Sequence, residues 1–294
     1  MTTTHVASEI AAQPESWRAA TALAGSVANA LPSSGERVAI IGCGTSWFIA
    51  MSCAQYRERA GHGETDAFTC SEFPTNRQYD RVVAISRSGT TTEVIEVLAH
   101  LPKATTTLIT AVPGSPATEV AGEVVSLAFA DEKSVVQTQF ATTVLSLFRA
   151  HLGDDMATVI RQGESAVVEP IDELLESDQV TFLGVGPAVG LANEAALKCR
   201  EAAQFWAESY PAMDYRHGPI SIAQPGRLVW SLGQSPEGLR ANVEATGARF
   251  IEFDLDPQAA LVIAQRFAVA LAEKRGFNPD QPRNLTRSVI LETP

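Results

Sequence analysis

Arg37-Val38-Ala39-Ile40-Ile41-Gly42-Cys43-Gly44-Thr45-Ser46 reads as a buried strand that runs into a Gly-x-Gly turn and then a helix. A short, unbroken apolar run bounded by turn residues fits a strand covered on both faces. The pattern returns at Val180-Thr181-Phe182-Leu183-Gly184-Val185-Gly186, again followed by a helix-like stretch. Such an internal echo within 294 residues predicts two α/β domains rather than one large one. The polar, acidic stretch from Gly153 to Glu176 lies between the two copies, so the boundary is expected near residues 153 to 168, crossed by an approach helix. Residues 1–155 then form a first domain with a helical lead-in at about 14 to 30, and residues 156–294 form a second domain that ends in a tail contributing to the site.

Outward from these two turns, strands are expected near 37–42, 66–70, 81–86, 105–110 and 124–129 in the first half. In the second half they fall near 179–184, 227–232 and 249–254, followed by a helix from about Pro257 to Arg275. Tyr210 to Arg216 reads as a loop. Strands alternating with helices imply parallel sheets with right-handed crossovers, and ligands then belong at the carboxyl ends of the strands.

Two further stretches carry chemistry. In Ser86-Arg87-Ser88-Gly89-Thr90-Thr91 a strand feeds a hydroxyl-rich turn that opens a helix. Hydroxyls, backbone N–H groups and the positive helix end suit a phosphate dianion, although one Ser or Thr serving as a helix cap is the plainer explanation. In Asn193-Glu194-Ala195-Ala196-Leu197-Lys198-Cys199-Arg200-Glu201, the i, i+3 and i+4 spacings line up Glu194, Lys198 and Glu201 on one side of a helix. A solvated face with routine ion pairs is the alternative to a catalytic group there. A loop then leads to His217-Gly218-Pro219.

Composition narrows the field. A formal charge of −12 argues against a nucleic-acid partner, which needs basic patches. The four cysteines have no metal-ligand spacing, so no metal or other cofactor is expected, and they read as reduced thiols. The polar start lacks a signal-peptide core and no apolar run reaches 18 residues, so a cytoplasmic protein without membrane contact is expected. A nicotinamide-binding domain fits poorly, because the second Gly-x-Gly lacks the usual spacing and neither half offers an acid for a ribose.

Taken in order, Ile41-Gly42-Cys43-Gly44-Thr45-Ser46, Ser86 to Thr91, Glu194…Lys198-x-x-Glu201, Tyr215-Arg216-His217-Gly218-Pro219 and Asp280-Gln281-Pro282-Arg283-Asn284-Leu285 resemble the sugar-isomerase (SIS) domains of glucosamine-6-phosphate synthase and its stand-alone relatives. The resemblance covers almost the whole chain. It implies an α/β fold of two tandem SIS domains, each a doubly wound parallel sheet, and a small-molecule sugar phosphate as the ligand. It assigns Ser86, Ser88 and Thr91 to the phosphate, Thr45 and Ser46 to substrate oxygens, and Glu194 to a sugar hydroxyl. The sugar chain would lie toward Glu201 and His217. His217 assists ring opening, Glu201 moves the proton between C2 and C1, and Lys198 steadies the negative oxygen and keeps Glu201 ionised. Homodimers with shared sites, His217 coming from the neighbouring subunit, are also implied.

Departures from that pattern bear on the reaction. The chain starts just before the SIS module, so no glutamine-hydrolysing domain is expected. Arg287 stands where the synthase has an imine-forming lysine, and a guanidinium makes no Schiff base. It could hold only an oxygen or a phosphate. Arg87 replaces a neutral amide in the phosphate turn, adding charge where an anionic group would sit. Ser134-Val135-Val136-Gln137-Thr138-Gln139 resembles the substrate-closing loop, with Val135 facing substrate and Gln139 where lysine is usual. The expectation is an isomerase or deaminase of an aminohexose 6-phosphate. Elimination at C3 of an N-acetylhexosamine 6-phosphate, a fructosamine-phosphate deglycase and a non-catalytic phosphosugar sensor stay open as alternatives.

Overall fold

The protein is described here by a computed structural model covering residues 4–291. By contact it falls into two compact units. One comprises residues 15–133, 139–156 and the stretch from Thr286 onward, and the other comprises the chain up to Pro14, residues 134–138 and 157–285. Membership is interleaved, where the sequence suggests two contiguous blocks.

Helix α1 (His5–Leu23) begins well ahead of the expected lead-in and continues through Pro14. A long-range cap accounts for the early start. The Asp280 carboxylate accepts the His5 and Val6 N–H groups at 2.8 and 2.9 Å, satisfying donors that a helix start leaves open.

The first unit holds strands β1 (Val38–Gly42), β2 (Thr65–Thr69), β3 (Arg81–Ile85), β4 (Thr106–Thr110) and β5 (Glu123–Ser126). Its helices are α2 (Thr45–Arg59), α3 (Thr92–His100), α4 (Pro116–Val120) and α5 (Gln139–His151). All pairings are parallel, in the order β2-β1-β3-β4-β5. Alternate residues explain how both faces are covered: Ala39, Ile41, Val82 and Ala84 cluster with Val94 and Leu98 of α3 and Ala117 of α4, while α2 packs on β1 and on α5. The chain order reverses between β1 and β3, and it is outside the carboxyl ends of such a pair that α/β sheets bind ligands. The turns at Gly42 and Ser86 leave those two strands.

The second unit contains α6 (Met156–Ala166), β6 (Gln179–Gly184), α7 (Ala188–Ala203), β7 (Ala207–Pro211), β8 (Arg227–Leu232), α8 (Leu239–Glu244), β9 (Arg249–Glu252) and α9 (Pro257–Lys274). Its sheet is parallel, in the order β7-β6-β8-β9. Leu183 and Val229 face Leu239 and Val243 of α8, while Trp230 stacks against Phe182 and meets Phe267 of α9 edge-on. A fully buried Phe or Leu in such a core contributes about 1.5–3 kcal/mol. Strand β7 includes Tyr210 and Pro211, which the sequence reads as loop; it is an edge strand, where Pro is tolerated at the end of the ladder. The fifth strand ends at Ser126, short of the expected 129, because a 3-10 turn takes over at Ala128.

The echo of the two Gly-x-Gly turns has one steric cause. A Cβ on Gly42 would lie 2.7 Å from the Ser46 backbone, and one on Gly184 2.2 Å from the Ala188 carbonyl oxygen. Each helix starts so close to the strand before it that only glycine fits. Among the described residues, no helix is long and apolar enough to cross a membrane.

Candidate functional site

In the first unit the hydroxyl-rich turn leaves β3 and starts α3. Gly89 has φ +62°, and a Cβ there would fall 1.9 Å from Ser115 Oγ, so the turn closes only with glycine. Ser86 Oγ accepts the Gly89 N–H and Ser88 Oγ accepts the Thr90 N–H, both at 3.2 Å. The N–H groups that the sequence assigns to a phosphate are thus partly satisfied by the turn's own hydroxyls. Thr90 Oγ1 lies 2.9 Å from both Ser88 Oγ and Ser288 Oγ. The tail continues across the start of α3: the Thr92 N–H donates to the Val289 carbonyl at 3.2 Å, and the Leu291 N–H donates to Thr92 Oγ1 at 2.9 Å. Ser86 and Ser88 are buried, and Thr91, the residue before α3, is half-buried. Thr45 and Ser46, at the first turn of α2, are buried as well.

Arg87 occupies a different place from the one its sequence position suggests. Its guanidinium is buried, with Nη1 3.6 Å from Glu132 Oε2 and Nη2 donating to the Arg287 carbonyl at 3.2 Å. Glu132 is equally closed to solvent, and its carboxylate also accepts the Gln139 and Phe140 N–H groups at the start of α5, at 2.8 and 3.2 Å. The Arg87 charge is therefore matched within the fold, and Glu132 gains from the positive helix end as well. Arg287 bonds to the Asp131 carboxylate and the Glu132 carbonyl, where the sequence suggests a substrate anion. Glu132 and Asp131 were not legible as partners of these arginines, because an acid in a loop shows its partner only once distant segments meet.

In the second unit the segment carrying Val135 is fixed through Ser134, whose hydroxyl and N–H both donate to the Glu9 carboxylate of α1. Val135 itself is half-buried. Gln139, just beyond and in the first unit, is buried and hydrogen-bonded through its amide to Ser16.

Helix α7 of the same unit carries Glu194, Lys198 and Glu201. Lys198 Nζ lies 3.4 Å from Glu194 Oε1 and 2.5 Å from Glu201 Oε2. The solvated-face alternative fails: the Glu194 side chain is fully buried, Lys198 is 2% exposed, and only Glu201 reaches solvent, at 18%. Both carboxyl groups face one ammonium, and the accessible member of the group is Glu201. Taking such charges out of water is costly, so the cluster is a weak source of stability and a strong indicator of chemistry.

His217 ends a short 3-10 turn (Asp214–His217) held by Arg216, which donates to the Glu237 carbonyl at 2.7 Å and to Asn242 Oδ1 at 3.0 Å. The imidazole is exposed, and among the described residues no hydrogen bond or ion pair joins it to the α7 cluster. Next to it Tyr215 is fully buried, and burial pushes its phenol up to about 12.

No protein-family model matches the chain. Its sequence is 27% identical over 296 residues to the isomerizing glutamine–fructose-6-phosphate aminotransferase of Sulfurisphaera tokodaii, covering 87% of this chain and 50% of that protein. The corresponding protein of Pyrobaculum aerophilum is 28% identical over 345 residues, covering 97% and 57%. The chain thus spans about half the length of these relatives. Among solved structures, glucosamine-6-phosphate deaminase from Thermotoga maritima superposes with a TM-score of 0.81 at 26% identity, over 98% of this chain and all of that one. The C-terminal domain of glucosamine-fructose-6-phosphate aminotransferase from Francisella tularensis gives 0.79 at 21% identity, covering 95% and 98%. Tagatose-6-phosphate ketose/aldose isomerase from Escherichia coli gives 0.78 at 19%, covering 100% and 98%, a likeness of fold alone. The chain is similar over most of its length to a part of the aminotransferases, and its parallel α/β fold is the one these structures share.

Proposed function

We propose that the protein is a phosphosugar isomerase or deaminase acting on an aminohexose 6-phosphate. The observation that carries this reading is the α7 cluster, a carboxylate held at 2.5 Å by a buried ammonium and open to solvent where its neighbours are not. Glu201 takes the proton from C2 of the open-chain sugar, the electron pair forms the C1–C2 double bond, and O1 is protonated. Return of the proton to C1 leaves an imine at C2. Water adds there and ammonia departs, giving the ketose phosphate. Lys198 stabilises the negative oxygen that develops as the proton moves. The roles of Ser86, Ser88 and Thr91 are to hold the phosphate together with the start of α3, and Thr45 and Ser46 meet sugar oxygens. Similarity to the deaminase and to the isomerizing aminotransferases supports the same substrate class.

Arg287 favours a route without a covalent imine to the protein. Its guanidinium forms no Schiff base and is bonded to Asp131 and the Glu132 carbonyl. The reading carries with it a homodimer in which each copy's His217 opens the sugar ring for the other, in keeping with an exposed imidazole on a turn of its own.

The test is calorimetric and chemical together. Glucosamine 6-phosphate should bind to both the native protein and Glu201→Gln, with ammonia released only by the former. Binding without turnover in the native protein would instead identify a phosphosugar sensor, and an unsaturated product from N-acetylglucosamine 6-phosphate would identify an eliminating enzyme.

A further inference from the structure

Cys43 and Cys70 each directly follow one of two neighbouring parallel strands, β1 and β2, at the carboxyl ends of those strands. The register pairs Ile41 with Phe68 and Gly42 with Thr69, so the next step along both strands brings Cys43 beside Cys70. Adjacent strands run about 4.7–4.9 Å apart, within the roughly 4.4–6.8 Å between Cα atoms that a disulfide spans. The two side chains pack into one apolar cluster, and both are free thiols. Cys43 is half-buried and Cys70 fully buried.

We propose that Cys43 and Cys70 form a redox-modification site, a paired dithiol that a peroxide converts to a disulfide. Cys43 is the attacking sulfur. The thiol and the backbone N–H of Cys70 both donate to it, which holds the Cys43 thiol below the ordinary cysteine range against opposing burial and the Glu93 carboxylate. The same hydrogen bond and burial push the Cys70 thiol up. Cys53 and Cys199 are fully buried and pushed up by desolvation, so they are poor competitors.

The Cys43 thiolate attacks one peroxide oxygen, the O–O bond breaks, and the departing hydroxide takes the proton lost from Cys43. Cys70 sulfur then attacks the Cys43 sulfenic sulfur, the S–O bond breaks, and water leaves with the Cys70 proton. Two thiols lose two electrons and hydrogen peroxide becomes two waters. The bond ties the Gly42–Ser46 turn, with Thr45 and Ser46, to the short 3-10 turn that starts at Cys70.

The experiment treats the full chain with hydrogen peroxide, alkylates the remaining thiols and maps tryptic peptides by mass spectrometry. The expected result is one cross-link between peptides 38–57 and 60–77, two of the four cysteines lost to alkylation, and full recovery with dithiothreitol. Cys53 shares the first peptide, so fragment ions must place the bond at Cys43 in the native protein. The bond should persist in Cys53→Ala and vanish in Cys43→Ser. Cys70 remaining alkylatable while Cys43 carries added oxygen overturns the proposal, as does a cross-link placed at Cys53.

Discussion

Lys198 Nζ lies 2.5 Å from Glu201 Oε2, and of these two side chains only the carboxylate meets solvent. A buried cation between two acids is held in place by them, so its removal leaves the buried Glu194 carboxylate and the Glu201 carboxylate facing each other without the cation between them. Lys198→Met should cost about 3–5 kcal/mol of stability, the range for breaking a buried ion pair. Urea denaturation of the variant measures this, and a change below about 1 kcal/mol contradicts the buried-cluster account.

Arg87 and Glu132 form the corresponding pair in the first unit, both closed to solvent. Either Arg87→Met or Glu132→Gln alone should destabilise by a few kcal/mol, because the partner remains buried and charged. The double variant should lose less than the sum, with a coupling of about 0.5–3 kcal/mol from a double-mutant cycle. Additive losses would show that the pair does not interact.

Gly89→Ala tests the Ser86–Thr91 turn and its proposed phosphate binding. The residue must adopt φ +62° with a Cβ 1.9 Å from Ser115 Oγ, so the strain and the displaced hydroxyl should together cost at least about 1–3 kcal/mol. Thermal denaturation reads the stability loss, and calorimetric titration with glucosamine 6-phosphate should show weakened binding in parallel.

Tyr215 gives the molecule an alkaline limit. Its phenol is pushed up to about 12 by burial, above the ordinary value of 10. The unfolded chain therefore ionises first: the stabilising contribution is complete below pH 10 and is lost as pH rises from 10 toward 12. Tyr215→Phe should flatten stability against pH in that window, as measured by denaturant midpoints at successive pH values.

The framework was legible because it rests on local signals. The unbroken runs at Val38 and Val180 and the glycines that end them gave the position of the first strand of each unit, an interior strand in both sheets. The meeting of Glu194, Lys198 and Glu201 on α7 was legible for a similar reason, since spacing along one helix fixes which side chains meet. What failed was everything set by distant partners. The start of α1 depends on Asp280, and the function of Arg87 depends on Glu132 and on the Arg287 carbonyl, none of them near in sequence. Strand β7 was hidden because an edge strand with a terminal proline carries little of the apolar signal that marks β6. Burial of the Glu194–Lys198–Glu201 cluster could not be read from the helix either, because an ion-pair spacing looks the same on a solvated face.

Glu201 is proposed to move the C2 proton of an aminohexose phosphate. Proton NMR of glucosamine 6-phosphate in D2O tests it directly. The native protein should exchange the C2 proton for deuterium and release ammonia, and Glu201→Gln should slow this by at least about 100-fold, the lower range for loss of a general base. Exchange at an undiminished rate in Glu201→Gln, or no exchange by native protein that binds the sugar, would contradict the assignment.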